Sequence, residues 1–179
     1  MTKTLSGQKK LDIKTSNPMI MCLVVTLIAA LGAFIALITK SPLLMFLFLL
    51  PTVIYEVIRT EPGASTKFSS ILLLILILLE IVLIVFGINF DLGKLFGESE
   101  KVIAGYSVPL GDIKIFGPLL MTILSVILVF RTYGPYTKWL SIIIAGGSLV
   151  SIFLISPQFF QQAMRLIINS LFDRFNALI

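Results

Sequence analysis

Histidine is absent from these 179 residues, and cysteine occurs once, at Cys22. The first absence removes the commonest general base and the commonest zinc and haem ligand, so a Ser-His protease pair and a His-based metal site are excluded. The second excludes an intrachain disulfide and a Cys-rich metal cluster. Charge is scarce as well, at 13% of residues against 58% that are apolar. With a mean hydropathy of +1.07, nothing is left over for a large soluble domain. The 14 Lys and Arg outnumber the 9 Asp and Glu, yet they sit thinly in short flanks and form no stripe suited to nucleic acid. No nucleic-acid partner and no cofactor are expected.

What the chain has is hydrocarbon, in five apolar runs at about 19–39, 43–58, 68–90, 115–131 and 139–155. The pattern predicts an all-α integral membrane protein whose helical domain covers 19–155. A basic N-terminal tail, 1–18, precedes it and an amphipathic C-terminal helix, 157–179, follows. The first run stands behind Lys3, Lys9, Lys10 and Lys14 and is longer than the apolar part of a signal peptide, so it reads as an uncleaved span begun by Asn17 and Pro18. The second has 16 residues with Pro51 among them. That length gives about 24 Å of helix against a hydrocarbon layer of roughly 30 Å. A kinked crossing is expected, with a re-entrant segment as the alternative.

A polar loop, 91–112, is the longest connection, and alternation around Pro109-Leu110-Gly111 suggests a small surface hairpin. Arg131, Tyr133, Tyr136, Lys138 and Trp139 make the mixture of rings and cations expected of an interfacial belt. Beyond Pro157, Phe160, Met164, Ile167, Leu171 and Phe175 recur at helical spacing opposite Gln161, Arg165 and Asn169. Such a helix suits the headgroup plane or a partner's surface, and these five apolar residues are its expected docking face. Lys and Arg near the span ends divide eight to six in favour of the N-terminal side, so the N-terminus is expected to be cytoplasmic.

Glu80 stands in the most apolar run, near its middle if the span covers 68–90. A carboxylate there must be neutral, paired or hydrated. It is the candidate ion or proton site, and a hydrogen bond to Thr26, Thr122 or Ser125, or a cation from another subunit, is the structural alternative. Glu56, one turn before Arg59, reads as a local ion pair. Small residues form two stripes, Ala29, Gly32, Ala33 and Ala36 in the first run and Ser141, Ala145, Gly146, Gly147 and Ser148 in the fifth. They predict close packing of these two helices on each other, or a homo-oligomer seam.

Reaction chemistry is harder to place. Cys22 has no base near it in sequence, no Gly-rich phosphate loop is present, and Asp91, Glu98, Glu100 and Asp112 match no metal motif. The sequence therefore points to a non-enzymatic multi-pass subunit that packs in a larger membrane assembly, surrounded by lipid and other membrane subunits. A small ion or proton translocator working through Glu80 is the alternative, and a bacterial cytoplasmic membrane is the expected location.

Overall fold

The computed structural model describes residues 17–60, 63–88, 101–103, 106–108 and 113–176. In chain order these form α1 Pro18–Thr39, α2 Pro42–Arg59, α3 Ala64–Val85, β1 Lys101–Ile103, β2 Tyr106–Val108, α4 Ile113–Arg131, α5 Pro135–Ile155 and α6 Pro157–Asn176. Helices α1 to α5 are long and apolar enough to cross a membrane, and the protein is an all-α, multi-pass integral membrane protein. Its outward faces carry Leu23, Leu31 and Phe34 on α1 and Ile75, Leu79 and Val82 on α3, all exposed. Helices apolar both inside and outside are suited to lipid rather than water.

Proline opens α1, α2 and α5 within their first turn and is the first residue of α6, where its missing N–H would have no partner in any case. Asn17 precedes α1 without capping it through its side chain. Lys40 closes α1 in the left-handed region, at φ 51°, and Ser41 then leads straight into α2. The second helix runs unbroken through Pro51 for 18 residues, about 27 Å. It lies antiparallel to α1, with Thr52 Oγ1 donating to the Val25 carbonyl at 3.4 Å. Its length and composition are those of a helix able to cross a membrane.

The third helix ends five residues before the boundary expected from its apolar run. Gly87 adopts φ 62° while its N–H bonds the Ile84 carbonyl and that of Ile88 bonds Leu83. This is a Schellman stop, and glycine supplies its left-handed residue without a Cβ penalty. The apolar Ile88 beyond it masks the stop in a hydropathy profile.

Helices α2, α3, α4 and α5 touch in a ring, α1 lies against α2 and α5, and α6 meets α5. The core belongs to Met45, Phe46, Leu49 and Val53 of α2, Leu73 and Ile77 of α3, Met121 and Leu128 of α4, and Ile144 of α5. The strands pair antiparallel with Lys101 opposite Val108 and Ile103 opposite Tyr106. That register turns the chain between Ile103 and Tyr106, ahead of the expected turn at 109–111, which lies outside the described residues.

Candidate functional site

Among the described residues two acids are fully buried, Glu56 on α2 and Glu80 on α3, each at 0% exposure. They lie toward opposite ends of the ring. The candidate span within α3 is Thr66–Val85, so Glu80 falls about 7 Å from its middle, toward the C-terminal end of the helix. Its expected midplane position is corrected by the Schellman stop. Glu56 lies about 8 Å from the middle of α2, toward the opposite face.

Glu80 packs onto α4 where that helix has Gly117. A Cβ at position 117 would coincide with the Glu80 carboxyl, so the glycine creates the space that the acid fills. Two of the hydroxyls expected as its hydrogen-bond partners donate to backbone carbonyls of their own helices. Thr26 Oγ1 donates to the Cys22 carbonyl at 2.7 Å, and Thr122 Oγ1 donates to Pro118 at 2.9 Å. Ser125 Oγ is buried with no hydrogen-bond partner among the described residues. The pairing of a glycine with a carboxylate across two helices is invisible to periodicity, because nothing local links 80 to 117.

Glu56 does not pair with Arg59. Ser141 of α5 places its hydroxyl 2.9 Å from Glu56 Oε1 and 3.0 Å from the Thr137 carbonyl, so one proton is shared between two acceptors. Oε2 is buried without a hydrogen-bond partner among the described residues. The helical register explains the departure from the sequence expectation. Thr52, Val53 and Glu56 lie on the stripe that α2 buries in the ring, whereas Arg59 ends the helix half-exposed.

Between the two acids the interior is mainly apolar, with Ser125 and Ser148 the buried polar exceptions. Leu49, Val53, Leu73, Ile77, Met121 and Leu128 fill it. Three of the buried serines bond within their own helices, Ser148 to Ile144 at 2.8 Å, Ser151 to Gly147 at 3.0 Å and Ser70 to Lys67 at 3.0 Å. Such back-bonding satisfies each hydroxyl locally and makes no relay between the carboxylates.

The small-residue stripes have a partner other than the expected one. Ala29, Gly32 and Ala36 are buried, with Ala33 partly so, and Gly32 abuts the Cβ of Phe48 on α2. Gly147 lies under Leu49 and Met45 of the same helix, while Gly146 is exposed with open space at its Cβ position. Both stripes thus pack on α2. Ser141 and Ser148 are buried beside them, and Ala145 is half-buried. Direct contact between α1 and α5 includes the bond from Trp139 Nε1 to Thr26 Oγ1, 3.0 Å long.

The expected belt is gathered at one end of the ring. Arg131 and Tyr133 are exposed where α4 ends, and Tyr136, Lys138 and Trp139 are exposed in the first turns of α5. Of the expected docking face, Phe160 is half-buried and packs edge-on against Phe153 with centroids 5.5 Å apart, and Met164 is exposed. The side chains of Ile167, Leu171 and Phe175 lie outside the described residues, as do Asp91, Glu98, Glu100 and Asp112. Phe159 anchors α6 against Ile115 and Ile152, and beyond that anchor Met164, Ile168 and Phe172 are uncovered. Comparison of the chain with protein-family models, with curated proteins and with solved structures finds no match.

Proposed function

We propose that this chain is a non-enzymatic membrane subunit that packs in, and stabilises, a larger membrane protein assembly. The observation that carries the reading is α6. The helix is fastened to the ring through Phe159 and Phe160, then continues to Asn176 with Met164, Ile168 and Phe172 exposed, the last at 65%. An apolar helical face held out from a folded bundle offers a contiguous surface to another membrane polypeptide. The apolar filling between Glu56 and Glu80 supports a structural role over a conducting one.

Purification from native membranes in a mild detergent tests this. The parent chain should bring down a stoichiometric set of unrelated membrane polypeptides, and a variant with Ser at 164, 168 and 172 should lose them while retaining its helical circular dichroism. A parent that emerges alone contradicts the proposal. We place the assembly in a bacterial cytoplasmic membrane, with the N-terminus on the cytoplasmic side. Single-cysteine labelling of intact cells checks the orientation, since position 133 should then be shielded from an impermeant reagent.

A second reading, the translocator, is favoured by the complete burial of Glu80 against Gly117. A carboxyl held away from water needs a proton or a cation to offset its charge. Proteoliposomes of the parent should then show a cation flux that Glu80→Gln abolishes. Absence of flux in the parent removes this reading.

A further inference from the structure

The first turns of α1 and α5 diverge around a cleft of about 490 Å³. Met19, Leu23 and Leu27 form one wall, and Pro135, Tyr136 and Trp139 form the other. The size falls within the range of small-ligand sites, roughly 300–1,000 Å³. Three observations define what fits it. The first is chemistry. Thr26 accepts from Trp139 Nε1 and donates to the Cys22 carbonyl, so the hydroxyl and the indole N–H in the lining are already engaged, and the Tyr136 hydroxyl and Cys22 thiol are its other polar groups. What remains for an occupant is mainly methyl, methylene and ring surface.

The second is depth. Met19 to Leu27 is nine residues of helix, a rise of about 12 Å, close to the roughly 15 Å of one leaflet's hydrocarbon. Met19 is 66%, Leu23 55% and Trp139 50% exposed, so the cleft opens sideways onto the bilayer. A slot that runs inward from the interface and is open to lipid along its length suits a chain lying along the membrane normal. The third is charge. The end of the bundle at which α1 and α5 begin also carries the C-termini of α2 and α4 and the start of α3. Arg59, Lys67, Arg131 and Lys138 are found there, while Glu56 is withdrawn into the ring. Cations at this end of the bundle, with Lys138 next to Trp139 in sequence, and hydrocarbon in the cleft complement an anionic lipid.

We propose that this cleft is a binding site for one acyl chain of an anionic glycerophospholipid drawn from the surrounding bilayer, with its phosphate beside Lys138. The lipid fills the gap left because α1 leans on α2 through Gly32 and Phe48 and meets α5 at the Trp139–Thr26 bond.

Trp139 is the sole tryptophan, so its fluorescence reports on this cleft alone. The full chain is reconstituted into vesicles containing either brominated phosphatidylglycerol or brominated phosphatidylcholine at matched mole fractions. Half-quenching should require about fivefold less of the anionic lipid, the preference expected of one lysine near its phosphate. Lys138→Gln should abolish that preference while leaving quenching by the zwitterionic lipid unchanged. Leu23→Phe, which narrows the slot without touching a charge, should weaken quenching by both, with the helical circular dichroism checked in each variant. Equal quenching by the two lipids at every mole fraction would show ordinary boundary lipid and overturn the proposal. So would a Trp139 that neither lipid quenches, which means that the cleft is closed by protein, a second copy of the chain included.

Discussion

Replacing Gly32, Gly147 and Gly146 one at a time by alanine adds the same methyl group at three helical positions with different surroundings. Each replacement gains up to about 1 kcal/mol of helix propensity, so the packing term decides the sign. At Gly146 the new methyl meets nothing within 4 Å, and Gly146→Ala should be stabilising by up to about 1 kcal/mol. At Gly147 it comes to 2.8 Å from Leu49 Cδ1 and Met45 Cε, the free ends of rotatable side chains that can move by a few tenths of an ångström. A modest overpacking cost of about 1 kcal/mol then cancels the gain, leaving Gly147→Ala close to neutral. At Gly32 the obstacle is the Cβ of Phe48, fixed to the backbone of α2, so relief requires the two helices to move apart. Overpacking of that kind costs up to about 3 kcal/mol, for a net loss of about 2. Unfolding by titration of sodium dodecyl sulfate into a mild detergent, followed by circular dichroism, ranks the three. A Gly32→Ala protein as stable as Gly146→Ala would refute the packing of the α1 stripe on α2.

Ser141→Ala takes from Glu56 the hydroxyl shared with Thr137, and loss of a buried partner of this kind should destabilise by about 1–3 kcal/mol in the same titration. Ser125→Ala removes a buried hydroxyl that has no partner among the described residues, and should be neutral or slightly stabilising. Gly117→Ala drives a methyl into the Glu80 carboxyl and should destabilise by about 1–3 kcal/mol. Because the clash is with that side chain, Glu80→Ala should restore much of the loss, giving a coupling energy of about 1 kcal/mol or more in a double-mutant cycle. Additive effects of the two substitutions would separate residues 80 and 117.

Hydropathy made the five spans legible, since a run such as 71–79 holds only Leu and Ile and has one reading in a chain this long. Helix starts were legible where proline announced them, at Pro18 and Pro157, although Asn17 makes no side-chain cap. The end of α3 was not, because Ile88 continues the apolar run past a stop set by the φ of Gly87. Glu80 drew notice as an acid among aliphatics, and its burial agrees with the need for a special environment. Its neighbour could not be inferred, because a glycine 37 positions away carries no local signal. Glu56 was misread for a related reason. Spacing identifies Arg59 as a neighbour along the helix, but the buried stripe of α2 turns Glu56 toward Ser141, 85 positions away. The small-residue stripes were recognised as packing surfaces, and only the tertiary arrangement assigns α2 as their common partner.

The proposed subunit role is tested most directly by a photo-reactive phenylalanine analogue placed at position 172 and, in a parallel sample, at position 123, both exposed in the isolated chain. Ile123 lies on the outer face of α4, and irradiation of native membranes should there yield lipid adducts and no protein product. Position 172 on α6 should yield a discrete crosslink to another polypeptide. Lipid adducts alone at both positions would show α6 lying on the bilayer and would contradict the account.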